Sequence, residues 1–465
     1  MPIEIDGSEW RRTFVRTVAC VVVVALSSGC GARLDDETGP SQRIAATPTL
    51  GDVGIDAADP STGEPDTAPP PRDADVVFDA GAEAPHDWAT GTLCDPGVAR
   101  GFRPMTSLAS LGIDHRTVVG AVWTGKEMLV AATSPLGCTV PPCWPKQAIF
   151  AYDPATDRWR LVRTIDVYDR TVKGSLLSLE DDRVARVDLE DFTYWATPAA
   201  GGTSVQTLDR KATCVSWGAG VGYAPTSKEL VVWGGGRWED GPSWIPCGQG
   251  VAIHQPEGVT RVLAEAPSTM RGGHVSSMWT GSALLVVDWD DRHAARYEAE
   301  LDRWTDLGPL PSIDARDAPA AAGMLGGKVG FFGGLSFGGN ESSFAALDGA
   351  SFDVASSTWT KLPAAPLTDK GDRWRDDPTS WMQPGPSGSP ELVMFGGYGY
   401  DHSELLGDMI AVDATTGAWR TVSSGGGLGP RTNAIAVWDG CEAIVYGGTV
   451  GSGGATLTDG ALYKP

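Results

Sequence analysis

A tetrapeptide centred on tryptophan recurs three times along this chain at nearly constant spacing. The copies read V-W-T-G, M-W-T-G and V-W-D-G around Trp123, Trp279 and Trp438, and these tryptophans lie 156 and 159 residues apart. Apolar runs flank each copy, which predicts a strand, a tight turn and a second strand. Repetition at a fixed period indicates that the chain is assembled from copies of one small unit.

Two further series lie between these landmarks. One places a tryptophan seven residues after an aromatic or apolar residue: Tyr152 and Trp159, Tyr297 and Trp304, Phe352 and Trp359, Val412 and Trp419. The other is a diglycine that ends an apolar strand: Gly234-Gly235, Gly333-Gly334, Gly396-Gly397 and Gly447-Gly448. Glycine in such places relieves the steric limits that apply where backbones crowd or φ is positive.

The three series, in this order, resemble the kelch repeat over roughly residues 95–465. The resemblance implies an all-β fold, a β-propeller in which each repeat forms one four-stranded blade of about 50 residues. A period of about 53 residues predicts seven blades. Six is the alternative, because the unit near 173–210 lacks both the diglycine and the Tyr–Trp pair, although it still contains four short apolar runs. The fourth unit has Asp288-Trp289 where the diglycine is expected.

The two ends of the repeat region suggest how the ring closes. The last unit has Tyr463 but no strand after it that begins with tryptophan, and the segment 101–111 precedes the first unit as an additional outer strand. We therefore expect this segment to complete the last blade, which avoids leaving the ring open with a bare edge. The propeller is predicted to span residues 93–465.

The first 30 residues resemble a bacterial lipoprotein signal peptide. Arg11, Arg12 and Arg16 precede an apolar run over 18–26 that is too short to span a bilayer, and small residues then lead to Cys30. The resemblance implies lipidation of Cys30 and export to the cell envelope, at the outer membrane or cell surface. The alternatives are an ordinary secretory signal and, from the sequence around Arg11 and Arg12, twin-arginine export.

Charge separates the next segment from the rest. The whole chain has 36 Lys+Arg against 59 Asp+Glu, a net charge of −23, which argues against a nucleic-acid partner because phosphate binding needs a basic surface. About −10 of this charge falls in residues 31–90, which have three Arg, thirteen acidic residues and few aromatics. We therefore interpret residues 31–92 as a disordered acidic tether rich in Pro, Gly and Asp.

Six cysteines remain after Cys20 in the signal and Cys30. An even number in an exported domain predicts disulfides, and six cysteines allow fifteen pairings. Positions along the repeat favour Cys138–Cys143 within one loop, Cys214–Cys247 within the third blade, and Cys94–Cys441 on the two strands that close the ring. Free buried thiols are the alternative.

Two groups of side chains are candidates for function. Loops that correspond along the repeat are expected on one face, and their aromatic and charged residues suit protein or carbohydrate recognition: Trp144, Arg237, Trp238, Glu239, Trp244, Tyr398, Tyr400 and His402. Four arginines that precede first strands are candidates for the central channel: Arg116, Arg271, Arg316 and Arg431. The structural alternatives are tryptophans packed between blades and arginines paired with acids.

No catalytic signature, phosphate-binding loop or metal-ligand spacing of histidines is found in the sequence, so no cofactor, metal or catalytic residue is assigned. The leading hypothesis is a monomeric binding or scaffolding module for an unidentified protein or glycan, attached to a membrane only through its lipid. The alternative is an exported carbohydrate-active enzyme with its site at the central channel, like the mutarotases and oxidases among kelch propellers.

Overall fold

The structure is a computed structural model that describes most of residues 99–465. Short internal segments lie outside the described residues: 113–116, 135–145, 166–174, 180–183, 189–192, 197–203, 208–213, 215–216, 239–243, 256, 315, 317–318, 338–342, 367–374, 400–403, 424–426 and 452–454. The signal peptide over 1–30 and the tether over 31–92 also lie outside them, so both stay predictions. No helix among the described residues is long and apolar enough to cross a membrane.

The described chain folds as an all-β propeller. It forms six four-stranded antiparallel sheets and one five-stranded sheet, and we count each of these as one blade, which gives seven in the described part of the chain. A separate two-stranded ribbon belongs to the fifth blade. Helical structure among these residues is confined to two 3₁₀ turns, Leu108–Leu111 and Ala299–Leu301.

The strands follow one another in simple meanders. Blade one contains β2 (Thr117–Trp123), β3 (Met128–Ser134), β4 (Lys146–Asp153) and β5 (Arg158–Ile165); blade two contains β6 (Ser175–Ser178), β7 (Val184–Asp188), β8 (Thr193–Ala196) and β9 (Ser204–Thr207); blade three contains β10 (Trp217–Ala224), β11 (Glu229–Trp238), β12 (Trp244–Pro246), β13 (Gly250–His254) and β14 (Thr260–Val262); blade four contains β15 (Val275–Trp279), β16 (Leu284–Asp288), β17 (His293–Glu298) and β18 (Arg303–Pro309). The degenerate second unit therefore forms a complete blade.

The remaining blades repeat this order with one addition in blade five. Blade five contains β19 (Ala321–Leu325), β20 (Lys328–Phe332), β23 (Gly349–Asp353) and β24 (Thr358–Leu362), with the ribbon β21 (Leu335–Phe337) and β22 (Ser343–Ala345); blade six contains β25 (Thr379–Pro384), β26 (Pro390–Phe395), β27 (Met409–Asp413) and β28 (Trp419–Ser423); blade seven contains β29 (Ile435–Trp438), β30 (Ala443–Tyr446), β31 (Gly460–Lys464) and β1 (Gly101–Pro104). The first strands of neighbouring blades contact one another, for example β2 with β29 and β25 with β19, so these strands are innermost.

Strand β1 closes the ring as the sequence predicted. It pairs antiparallel with β31, with Gly101 opposite Lys464 and Pro104 opposite Ala461. The segment after β1 is a 3₁₀ turn and not a continuation of the strand. Because β1 supplies the fourth strand of blade seven, the first and last parts of the described chain are hydrogen-bonded to each other.

The hydrophobic core lies between adjacent blades. Strands alternate their side chains between two faces, so each blade presents apolar residues to both neighbours. One cluster joins Phe150 and Trp159 of blade one to Tyr446 and Leu462 of blade seven, and comparable clusters join blades two to three, three to four, four to five, five to six, and six to seven.

The repeated tryptophans strengthen these junctions with hydrogen bonds. The indole Nε1 of Trp159 donates to the carbonyl of Thr106, which lies just after β1 of blade seven, at 2.6 Å. Trp304 and Trp419 donate likewise to Ala264 and Pro363, each of which follows the last strand of the preceding blade. These three tryptophans of the repeat therefore join one blade to the next.

Candidate binding face

Four loops leave the propeller on the same side. A diglycine follows the apolar part of the second strand in blades three, five, six and seven, and second strands run in the same direction in every meander. After each diglycine the chain continues as a two-stranded ribbon, because a backbone N–H of the returning segment donates to a diglycine carbonyl: Cys247 to Gly235, Ala346 to Gly334, Leu406 to Gly397 and Leu457 to Gly448. We call this side of the propeller the ribbon face.

Both glycines of these pairs have positive φ, and each brings the ribbon against the neighbouring chain. Gly396 and Gly397, for example, have φ of +69° and +92°. A Cβ atom on Gly396 would lie 2.3 Å from the carbonyl oxygen of Arg431 in blade seven. A residue with a side chain is excluded from this position by backbone strain and by steric overlap.

The most regular ribbon belongs to blade three. Strand β11 extends past its diglycine and pairs with β12, which places Trp238 directly opposite Trp244 and Arg237 opposite Ile245. Three of the residues predicted for recognition therefore lie on one ordered ribbon. Glu239 lies beyond the end of β11, outside the described residues, as do Trp144, Tyr400 and His402.

Tyr398 lies lower in the ribbon of blade six. Its backbone forms bridges to Asp376 and Leu405, and only 5% of its surface is exposed. It therefore supports the ribbon from within, and any contact with a ligand would need the ribbon to move.

Arginines at the base of the ribbons connect the start of the first strand of a blade to the segment before its third strand. In blade five, Arg316 Nη1 donates to the carbonyls of Gly333 and Asp348, both at 2.8 Å, and Nη2 donates to the Asp348 carboxylate at 2.6 Å. The side chains of Arg316 and Asp348 are 1% and 7% exposed. We call this arrangement the arginine clasp. An arginine before the first strand of the blade donates hydrogen bonds to a diglycine carbonyl and to an aspartate before the third strand.

Blade seven contains the same clasp in a more open form. Arg431 donates to the Gly447 carbonyl at 2.9 Å and to both carboxylate oxygens of Asp459 at 3.0 Å. Arg431 is buried, whereas the Asp459 side chain is 57% exposed. The hydrogen bonds from Arg431 lower the pKa of Asp459. The acid partners lie in the same blade as their arginine, not across a blade boundary.

Arg375 forms a clasp in blade six that the sequence reasoning missed. Its Nη1 donates to the Gly396 carbonyl at 3.0 Å, and its Nη2 donates to the Asp408 carboxylate. The signal was available, because Arg375 precedes β25 by four residues, as Arg431 precedes β29. It was obscured by the neighbouring Arg373 in the run R-W-R-D-D.

Blade four replaces the clasp with aspartates. Arg271 has a 64% exposed side chain and pairs with Asp291 at 2.7 Å. The fully buried Asp288, which stands where a diglycine was expected, accepts hydrogen bonds from the backbone N–H groups of Gly272, Asp290 and Asp291. Burial raises the pKa of Asp288 to about 6. Of the candidate channel residues, Arg116 lies outside the described residues, and Arg271, Arg316 and Arg431 are all paired with acids.

Blade three contains a disulfide at the corresponding place. Cys214, before β10, is bonded to Cys247, before β13, with their Cα atoms 5.5 Å apart, which confirms the predicted pair. Cys441 is also disulfide-bonded. It lies in the turn between β29 and β30, so its predicted location on a ring-closing strand is wrong; the closing strands are β1 and β31. Cys94, Cys138 and Cys143 lie outside the described residues, so their pairings stay predictions.

Two adjacent carboxyls lie where blades six and seven meet. The Asp377 carbonyl accepts from Thr432 Oγ1 at 3.0 Å and from the Asn433 N–H at 3.2 Å. Burial raises the pKa of Asp376 to about 6. Burial and the neighbouring Asp376 charge also raise the pKa of Asp377, while a hydrogen bond from the Asn433 side chain opposes the shift. Asp377 and Asn433 both have left-handed backbones, with φ of 47° and 53°.

Within the part of the chain that the structure describes, no three His, Cys, Asp or Glu residues are grouped to hold a metal ion. The ribbon face offers hydrogen-bonding and aromatic residues on its ribbons, and the two carboxyls at the junction of blades six and seven lie buried beneath it.

Comparison with known proteins supports the fold. The chain matches no protein-family model and no curated protein. Among solved structures, it resembles a fungal alcohol oxidase of the AA5 family in complex with copper, with a TM-score of 0.51 and 13% identity over 79% of this chain and 77% of the oxidase. YjhT gives a TM-score of 0.43 and 13% identity over 62% of this chain and 93% of YjhT. At this identity the likeness to the oxidase concerns the fold alone.

Proposed function

We propose that this chain is an exported, lipid-anchored protein of the bacterial cell envelope whose kelch-type propeller binds a protein or a carbohydrate through its ribbon face. The observation that carries the proposal is the set of four ribbons that leave one face of a rigid ring. Binding residues on loops need such a scaffold, because ordering a free loop costs conformational entropy on binding.

The kelch assignment is supported by where the repeated residues fall. The diglycines lie in or directly after second strands, Tyr152 and Tyr297 lie on third strands, and Trp159 and Trp304 lie on fourth strands. This is the placement that the kelch resemblance implies. Several motifs in a fixed order identify the repeat, so the kelch assignment does not depend on any single glycine pair.

The binding proposal is tested with the two tryptophans of the blade-three ribbon. The purified propeller is applied to a glycan array and used in a pull-down from the native envelope, alongside the double variant Trp238→Ala/Trp244→Ala. We expect the double variant to lose the captured ligand, because stacking of a sugar ring or an apolar side chain on tryptophan supplies much of the contact area. Lys126→Ala, an exposed residue in the turn on the opposite face, is the matched control and should retain it. Equal capture by all three proteins would refute the ribbon face as the site.

The lipid anchor is tested separately. The full chain is expressed in a bacterium fed a labelled fatty acid, with Cys30→Ala and Cys20→Ala as the paired variants. We expect label on the native protein and on Cys20→Ala, and none on Cys30→Ala. Release of unlabelled native protein into the medium would instead support an ordinary cleaved signal peptide.

A carbohydrate-active enzyme is the second candidate, and one observation favours it. The raised pKa of Asp376, about 6, is suited to a general acid that holds its proton near neutral pH. Turnover of a sugar by the purified propeller, lost in Asp376→Asn while the variant remains folded, would support this function. Arg431→Ala is unsuitable for this test, because Arg431 is a buried part of a clasp and its loss would disturb the blade.

A further inference from the structure

The ribbons of blades six and seven each gain a third hydrogen-bonded segment. In both blades the residue after the clasp arginine bridges the outgoing segment of the ribbon, which in turn bridges the returning one: Asp376, Tyr398 and Leu405 in blade six, and Thr432, Thr449 and Thr456 in blade seven. Each ribbon is therefore anchored at its base by backbone hydrogen bonds to the start of its own blade.

The two ribbons also contact each other. The Gly397 N–H of blade six donates to the Arg431 carbonyl of blade seven at 2.9 Å. The Thr432 hydroxyl of blade seven donates to the Asp377 carbonyl of blade six at 3.0 Å. We call residues 396–399, 404–408, 447–451 and 455–459 of these ribbons the six–seven platform. Because hydrogen bonds connect its parts, a ligand meets a surface that is already ordered, which lowers the entropic cost of binding.

The platform is acidic and carries an exposed apolar side chain. Its residues include no Lys or Arg, Glu404 is exposed, and the Asp459 side chain is 57% exposed. Val450 is 47% exposed, and the other exposed large apolar side chains that the structure describes lie outside the ribbons. Val450 lies three residues beyond Gly447, whose N–H donates to the Asp459 carbonyl. The valine and the carboxylate are thus on the order of 10 Å apart on one ribbon.

We infer that the six–seven platform binds a basic protein segment, which places a Lys or Arg beside Asp459 and an apolar side chain against Val450. This inference rests on the proposed function and narrows its ligand from a protein or a carbohydrate to a protein. Opposite charge steers association, and the net charge of −23 favours a cationic partner.

Two features of the platform disfavour a carbohydrate. Sugar rings pack on exposed aromatic faces, and Tyr398, the aromatic residue of the platform, is 5% exposed. The platform also lies across the seven-bladed ring from the blade-three ribbon. A ligand that contacts both must span the mouth of the ring, which a protein does and a single sugar does not.

Synthetic peptides provide the probe. One library alternates Lys or Arg with Val or Leu, and a counter-library has Glu in place of each cation. Binding to the full chain is measured by fluorescence anisotropy, and we expect the cationic library to bind and the acidic one not to. Raising the salt from about 0.05 M to about 0.5 M should weaken this binding about tenfold, because salt screens exposed charges.

Substitutions at Val450 separate the apolar contact from the charge. Val450→Lys and Val450→Glu both remove the valine, at an exposed position where neither should change unfolding. We expect Val450→Lys to weaken binding of the cationic peptides about tenfold and Val450→Glu no more than about threefold, since the new carboxylate attracts the same ligand. The same two substitutions at Val259, which is 66% exposed outside the ribbons, are the matched controls and should leave binding unchanged. Equal losses in the two Val450 variants, or no loss in either, would overturn the inference.

The remaining outcomes distinguish this inference from the proposed function. If the cationic library does not bind, and a glycan binds and is lost in Trp238→Ala/Trp244→Ala, the inference fails while the ribbon face remains a binding site. If neither peptides nor glycans nor envelope proteins bind the ribbon face, the inference and the proposed function fail together.

Discussion

Blades three and five connect the same two parts of a blade by different chemistry. In blade five, Arg316 before the first strand reaches Asp348 before the third, and the Gly333 N–H donates to the Asp348 carbonyl. In blade three, the Gly234 N–H donates to the Gln249 carbonyl in the same way, but the cross-connection is the Cys214–Cys247 disulfide. A disulfide needs no buried charge, whereas the clasp buries two charges that must balance each other.

The clasp of blade five should be the more costly to break. Arg316→Met leaves the buried Asp348 carboxylate with Lys361, at 3.1 Å, as its remaining cationic partner among the described residues. We expect a loss of about 3 kcal/mol of unfolding free energy, the scale found when one partner of a buried ion pair is removed. Urea denaturation of the purified propeller measures it. A loss below about 1 kcal/mol would mean that the clasp adds no more than a surface ion pair.

Loss of the disulfide of blade three should lower the unfolding free energy by nearly as much. Cys214→Ser/Cys247→Ser opens a loop whose ends are 33 residues apart, and we expect a loss of roughly 2–3 kcal/mol. Reductant should lower the denaturation midpoint of the native protein by more than it lowers that of the variant, because the variant has no Cys214–Cys247 bond to reduce. If reductant lowers both midpoints equally, the effect comes from the other disulfide bonds.

The carboxyl pair between blades six and seven predicts a dependence on pH. The pKa of Asp377 in the folded protein is raised above its ordinary value of 3.8, so the unfolded chain ionises first as the pH rises. Stability contributed by the protonated form of Asp377 is therefore present below about pH 4 and is lost as the pH rises through its folded pKa. The pKa of about 6 of Asp376 adds a loss of the same sign between about pH 4 and pH 6.

Asp377→Asn removes this loss. Asparagine suits the left-handed backbone, as Asn433 shows at the corresponding position of blade seven. We expect the variant to gain stability relative to the native protein between pH 4.5 and pH 7.5, measured as unfolding free energy across that range. Glu300→Gln, at an exposed carboxyl, is the control and should not flatten the profile. A native-like slope in Asp377→Asn would contradict the assignment.

The exposed ion pair of blade four should contribute least to the unfolding free energy. Arg271 and Asp291 form an ion pair at 2.7 Å, but the arginine side chain is 64% exposed and solvent screens the attraction. Arg271→Met should therefore change the unfolding free energy by less than about 1 kcal/mol. A larger loss, similar to that of Arg316→Met, would show that burial is not what separates the two arginines.

Much of the fold was predictable because its signals are local. A diglycine, a tyrosine seven residues before a tryptophan, and a tight turn each report the conformation of a few neighbouring residues, and their period gives the number of blades. Even blade two, without those signals, was found from four apolar runs, and its strands β6 to β9 lie where they were expected.

The candidate site was less predictable, because its chemistry depends on partners far apart in sequence. Arg316 and Asp348 are 32 residues apart, and nothing near Arg316 indicates whether its side chain points to a channel or into a blade. Arg375 was missed for the same reason, and Tyr398 was expected at the surface although the ribbon buries it.

The sequence by itself determined the repeated β architecture, the closure of the ring by β1 and the Cys214–Cys247 pair, since each follows from residue spacing along a meander. Only the tertiary structure decided which arginines are buried in clasps and which carboxyls meet between blades six and seven. Those outcomes depend on desolvation and on hydrogen bonds between distant segments, which exist only after the blades have packed.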